Sequence, residues 1–336
     1  MPGNGVEHTS SSDDGDSLTE PQGVIGTAGL LAHERDGLAV DLRRHDAVLR
    51  RPRAYARGPL ETRALSRRVR EHVYANLDHE PGRLVRPLRD AAAAAPFLYR
   101  APRSLSAERR SAGDFYSEGE LMWLDVDAEL GAISGGTKSL DGFCKRSFGI
   151  ENTPPEVNPY TYEQFLAALH TYAPYDWEGY FKAHAFSVAP HPPNPFEKLG
   201  RQLVCTDAPN SVEMQRSKRF HGFGAAYSLG VIGDEKDTLS DVHTGSPAAL
   251  AGLGAGDTIA AVNAREFSAD VLEEELKAGK KSGGAFVLIV KRESFFRTVT
   301  VDYHDGPKYP HLVRLDGVPD KLAAILEPHR ADAPRP

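Results

Sequence analysis

The run Ala189-Pro190-His191-Pro192-Pro193-Asn194-Pro195 constrains this chain more than any other feature. Its prolines remove backbone donors and fix φ, so neither a helix nor a central strand passes through it. The pattern of apolar residues changes across it. Before it, apolar side chains recur at helical spacing. After it, short β-rich runs alternate with turn residues. A chain of 336 residues suggests roughly two globular units of about 100 to 200 residues each. The sequence therefore predicts a multidomain α + β protein, helical first and β-rich second.

Residues 1 to about 22 hold almost no apolar side chains and are expected to be disordered. No clear period follows as far as residue 59, so 1–59 is unassigned. Helical spacing begins with Leu60, Leu65, Val69 and Val73. A loop at Pro81-Gly82 precedes a helical run from Asp90 to Ala95, which Pro96 limits. The strongest helix covers 114–133. Met122, Val126, Leu130 and Ile133 share one face, and Glu120, Asp125, Asp127 and Glu129 lie largely elsewhere. Gly135-Gly136 ends it. Ser139 caps a short helix with Leu140, Phe143 and Phe148 inward and Gly149 at its stop. Thr161 with Gln164 forms a capping box before Phe165, Leu166 and Leu169. Asp176 caps one more turn, bearing Trp177 and Phe181. Residues 60–187 thus form a helical array, and 188–221 a proline-rich linker and connecting segment.

In the second unit, 222–303, strands are expected at Ala225–Ile232, Thr238–His243, Thr258–Val262, Ala285–Lys291 and Arg297–Tyr303, with one helix at Ala269–Ala278. Residues 304–336 form a C-terminal extension. The string Gly245-Ser246-Pro247-Ala248-Ala249-Leu250-Ala251-Gly252-Leu253, then Gly256-Asp257-Thr258-Ile259 and Val262-Asn263, resembles the bacterial PDZ signature. Ser246 caps a short helix, and Pro247 sits where its missing N–H costs nothing. Gly252 and Gly256 permit left-handed backbone. Ala264 stands where the pattern often has Gly. The resemblance implies a small β-barrel that binds extended peptides or protein C-termini by strand addition, their carboxylate held by backbone N–H groups. Ser228, Leu229, Gly230 and Val231 are the matching loop, with the 269–278 helix as the opposite wall. In the alternative, the groove is filled by the protein's own chain.

The segment from Asp114 to Asp125, Asp114-Phe115-Tyr116-Ser117-Glu118-Gly119-Glu120-Leu121-Met122-Trp123-Leu124-Asp125, resembles the glycyl aminopeptidase family, gluzincin metallopeptidases with a C-terminal PDZ domain. The likeness continues through Ser139-Leu140-Asp141-Gly142-Phe143-Cys144, Pro159-Tyr160-Thr161-Tyr162, Ala173-Pro174-Tyr175-Asp176-Trp177, Tyr227-Ser228-Leu229-Gly230 and Tyr309-Pro310-His311-Leu312. It implies the helical C-terminal part of a gluzincin catalytic domain ahead of the PDZ unit. It also implies that Tyr116, in a Tyr-x-x-Gly string with Gly119, donates its hydroxyl to the oxyanion of a tetrahedral intermediate. Without the family, an aromatic residue at the start of an amphipathic helix reads as core.

The family's chemistry needs zinc, held by His-Glu-x-x-His on one helix and a Glu on a second. This sequence has no such motif. Gly37 stands where a second His would follow His33-Glu34, and His79-Glu80 runs into Pro81-Gly82. No metal ligand is assigned; His170, His184 and His191 match no zinc spacing. The expectation is a C-terminal part that lacks its zinc-binding half and is inactive alone. The alternative is a PDZ peptide-binding pseudo-enzyme.

The net charge of −7 argues against a nucleic-acid partner. The arginines between Arg35 and Arg110 read as solvated helix faces. No apolar run spans a bilayer, and the N-terminus has no signal-peptide pattern, so the chain as written is expected in the cytoplasm. Cys144 and Cys205 build no disulfide framework.

Overall fold

The computed structural model describes residues 74, 77–78, 80–98, 110, 114–148, 159–210 and 222–325. The expectations for 1–59, for Leu60, Leu65, Val69 and Val73, and for Gly149 fall outside them.

Helix α1 is Leu88–Leu98. It begins before Asp90 and continues through Pro96, which lies in the last turn and forfeits a single hydrogen bond there. Helix α2, Asp114–Ile133, is the spine of the helical unit. Its bounds match the spacing, but its environment does not. Met122, Trp123, Val126 and Leu130 pack into one core with residues of the helices that follow. Leu121, Leu124 and Ala128 pack into a second core on another side. A helix covered on two sides carries polar groups inward as well. Asp125 and Asp127, expected away from the packed face, are buried, whereas Ile133 lies beyond the packing and is 39% exposed.

Helices α3 (Leu140–Phe148), α4 (Tyr162–Tyr172) and α5 (Trp177–Phe181) complete the first core. Their starts are chemically specified. Ser139 Oγ accepts from the Gly142 N–H at 3.2 Å, and buried Asp127 accepts from the Leu140 N–H at 2.7 Å. Thr161 and Gln164 form the expected reciprocal capping box. Asp176 Oδ1 accepts from the Gly179 N–H at 2.9 Å. A π-type turn, Lys182–Phe186, closes the array.

The proline run is not a free spacer. Pro192, Pro193 and Pro195 are buried, and Phe196 joins the second core beside α2. It leads into β1 (Arg201–Thr206), which pairs antiparallel with β9 (Tyr309–Arg314). Helix α8 (Lys321–Ile325) returns Leu322 to the same core. Arg201 Nε holds Asp320 at 3.1 Å, tying β1 to the start of α8.

Between β1 and β9 lies the β-rich unit. Strands β2 (Phe223–Ala225), β3 (Val231–Gly233) and β4 (Leu239–Val242) form one sheet in that order. Helix α6 (Pro247–Leu250) is capped by Ser246. Strands β5 (Thr258–Val262), β6 (Arg265–Glu266), β7 (Phe286–Arg292) and β8 (Phe295–Val301) form a second sheet in the order β6-β5-β7-β8. Helix α7 (Ala269–Ser282) joins β6 to β7 and is longer than expected, ending where Gly283 turns left-handed. The sheets share one apolar core. They do not close into the expected barrel: the start of β4 and the start of β5 are joined by the isolated Thr238–Thr258 bridge and a few flanking backbone hydrogen bonds rather than by a continuous ladder. The single strand expected over Ala225–Ile232 is two strands. Gly230, at φ +81°, reverses the chain between them, and a side chain there would collide with Ser246.

Asp257 fastens this unit. Fully buried, it accepts from Arg292 Nε at 2.6 Å, Arg297 Nη2 at 2.9 Å and the Gly254 N–H at 3.0 Å. Asn263 and Ala264 form the two-residue turn from β5 to β6, both left-handed at φ +47° and +64°. Asparagine tolerates that region, whereas alanine is strained there by about 1–2 kcal/mol. We expect Ala264→Gly to raise stability by roughly 1 kcal/mol in urea unfolding, the gain from lost strain outweighing the added chain entropy. A destabilised variant would contradict this account of the turn.

Candidate functional site

Among the described residues, the polar groups inside the fold include three beyond the Asp257 and Arg201 pairs. The first surrounds the start of α2. Glu118 is 1% exposed and meets two arginines, Arg83 Nη2 at 2.7 Å and the guanidinium of Arg110. Arg83 also donates to the Leu77 carbonyl at 3.1 Å, and Arg110 to the Arg86 carbonyl at 2.8 Å. Both arginines are 2% exposed, so the expectation of solvated faces fails at these positions. Their burial follows from charge: a carboxylate inside a helical core persists only with cations beside it. Glu80 joins the group through a hydrogen bond with Asp114. Burial first, and then the adjacent Asp114, push its carboxyl up to about 9, against the pull of the two arginines.

The second group links α2 to the end of the proline run. Lys198 Nζ bridges Asp125 and Glu129, each at 2.9 Å. The Tyr180 hydroxyl lies 3.0 Å from Asp125 Oδ2 and 3.1 Å from the Met122 carbonyl. Burial and the Asp125 charge hold that phenol well above its ordinary pKa. The His184 ring lies tilted against that of Tyr180, centroids 4.7 Å apart, and burial lowers its pKa.

The third group is the loop from Ala225 to Val231. The N–H groups of Ser228 and Gly230 both donate to the carbonyl of Ala225, at 3.1 and 2.9 Å. The Leu229 and Gly230 carbonyls accept from Ala248 and His243. Ser228 Oγ accepts from the Lys308 N–H at 2.9 Å, so the C-terminal extension supports the loop. Val231 lies in β3, between β2 on one side and β4 on the other.

Of the residues expected from sequence, Ser228, Leu229, Gly230 and Val231 come together as this loop. Tyr116 belongs to the helical unit instead. It lies in the first turn of α2, 36% exposed, its ring centroid 4.1 Å from that of Phe115. Asp114 and Glu118, two residues to either side, are buried. The three histidines go to separate partners. His191 meets Asp78 at 2.8 Å, His170 meets the Tyr175 carbonyl at 3.2 Å, and His184 packs on Tyr180. Among the described residues, no group of three or more His, Cys, Asp or Glu is placed to hold a metal ion. Glu118 is already neutralised by two guanidiniums. The described residues therefore do not fit a zinc site.

Sequence reasoning did not find the Arg83–Glu118–Arg110 group or the role of Ala225. The signal for the first was an acidic residue, Glu118, set among inward-facing positions of α2, with one partner 8 and the other 35 residues away.

No family model and no curated protein matches the chain. Among solved structures, an aminopeptidase N family protein from Idiomarina loihiensis is similar, with a TM-score of 0.52 and 17% identity. The likeness is one of fold. The match covers 78% of this chain and 44% of that protein, so this chain spans less than half of its structural neighbour's length. No helix among the described residues is long and apolar enough to cross a membrane.

The raised Glu80 carboxyl sets a pH dependence. Folded Glu80 keeps its proton up to about pH 9, whereas the unfolded carboxyl loses it near 4.5. This group's contribution is full below the unfolded pKa and is lost as pH rises towards the folded one. Glu80→Gln removes that loss. The melting temperature of the wild type is expected to fall behind that of Glu80→Gln between about pH 5 and about pH 9. Parallel curves would contradict a proton held at Glu80.

Proposed function

We propose that this chain is the C-terminal part of a glycyl aminopeptidase-type protein, joined to a PDZ-like module, and that it does not hydrolyse peptides by itself. The observation that carries this reading is the likeness to an aminopeptidase N family structure over 78% of the chain, a span too long for either unit alone. The ordered sequence resemblance to glycyl aminopeptidases supports the finer assignment. In this reading Tyr116 is presented at the surface as an oxyanion donor to a zinc-bearing half supplied elsewhere. The lack of a His-Glu-x-x-His string in the sequence supports the lack of hydrolysis.

A second reading, binding of peptides or protein C-termini, has one specific observation in its favour. Two backbone N–H groups of the 228–231 loop converge on a single oxygen, the arrangement that a terminal carboxylate requires.

The test of the first reading is the metal content of the full chain, with hydrolysis of a glycine anilide measured on the same sample. We expect no stoichiometric zinc and no turnover, in the wild type and in Tyr116→Phe alike. One zinc per chain, with turnover reduced about 10²-fold or more by Tyr116→Phe, would overturn it.

A further inference from the structure

We propose that strand β2 is an internal ligand: Phe223-Gly224-Ala225 occupies the peptide site of the β-rich unit and reveals the C-terminal sequence that site selects. The inference rests on the peptide-binding reading of the 228–231 loop.

A strand has two edges. On one, β3 pairs with β4, Val231 lying opposite Val242. On the other it pairs antiparallel with β2, in the register Phe223↔Gly233, Gly224↔Ile232 and Ala225↔Val231. An incoming extended peptide therefore finds no free edge on β3. The occupant also imitates such a peptide. It runs antiparallel to β3 with its C-terminal end at the loop. Its last carbonyl, on Ala225, receives the N–H groups of Ser228 and Gly230. A peptide C-terminus placed there presents an oxygen to the same donors and adds a negative charge, which strengthens the bonds.

The side chains of β2 define the selectivity. Phe223, third from the carbonyl end, is 6% exposed, its ring centroid 4.7 Å from that of Phe267. It lies against Gly233, where any side chain would collide with its ring. Leu272 and Leu276 of α7 belong to the same core. Ala225 is also buried, at 6% exposure, whereas Gly224 is exposed. The ligand class is thus an extended peptide with a free C-terminus, a small last residue, any residue before it, and an aromatic residue third from the end.

An internal occupant lowers apparent affinity in proportion to the fraction of time that it is displaced. The probe is a labelled hexapeptide, Phe-His-Gly-Phe-Gly-Ala, with a free C-terminus, titrated into the full chain by fluorescence anisotropy. Phe223→Ala is expected to bind it at least tenfold more tightly than wild type. Alanine third from the end of the probe, or C-terminal amidation, weakens binding at least tenfold. Because Phe223 is a core residue, a second variant leaves it in place. G224C/I232C, in a background with both native cysteines replaced by serine, joins directly opposed residues of β2 and β3. Oxidation is expected to lower affinity at least tenfold, and reduction to restore it. Equal binding in both redox states would overturn the internal ligand while leaving peptide binding intact. No binding in either state, by this probe or by a mixed library of C-terminal hexapeptides, would overturn the peptide-binding reading itself.

Discussion

The helical unit depends on how α2 carries charge into the interior. Glu118, Asp125 and Asp127 are all buried on one helix. An uncompensated carboxylate there would be prohibitive, so each has a dedicated partner. Glu118 takes Arg83 and Arg110, Asp125 takes Lys198 and Tyr180, and Asp127 takes the first N–H of α3. These partners come from before the helix, from α5, from the residues just after the proline run and from the following turn. The charges thereby specify which segments pack on α2, a task that apolar contacts, being non-directional, perform less selectively. The third carboxyl near Glu118, that of Glu80, keeps its proton because burial and Asp114 outweigh the arginines.

In the β-rich unit the same logic applies to backbone groups. N–H groups turned inward at a tight loop need acceptors. Here the Ala225 carbonyl supplies one for both Ser228 and Gly230. That satisfaction makes the loop stable by itself. In the peptide-binding reading proposed above, a bound peptide competes with Ala225 for the same two donors. The surrounding frame is firm: Asp257 joins the β4–β5 connection to the β7–β8 hairpin, and Ser228 is tied to Lys308. The short strand β2 is three residues long and has only three paired positions on β3 to lose.

Much of this architecture was readable in the residues. The bounds of α2, the Thr161–Gln164 capping box, the Asp176 cap and the Ser246–Pro247 helix start follow from local chemistry within four residues, and local chemistry survives in any tertiary setting. The 228–231 loop was singled out through Gly230, whose missing side chain permits close backbone approach; that the same residue turns left-handed, at φ +81°, comes from the structure. The buried charges were not legible. Arg83 lies 35 residues from Glu118, and Lys198 lies 73 from Asp125, so hydropathy alone assigns all of them to the surface. The split of the strand expected over Ala225–Ile232 escaped for another reason: alternating apolar residues continue across the turn, and only pairing partners reveal the reversal.

The most direct test of the account is hydrogen exchange of individual backbone amides in the full chain, with and without excess Phe-His-Gly-Phe-Gly-Ala. Without peptide, β2 amides bonded to β3 are expected to exchange by a local opening, at lower free energy than those linking β3 to β4. With peptide they lose protection, while Ser228 and Gly230 stay protected because the new carboxylate replaces the Ala225 carbonyl. If β2 amides exchange only in global unfolding and peptide leaves them unchanged, β2 is a fixed part of the fold and the account of an exchangeable internal ligand is wrong.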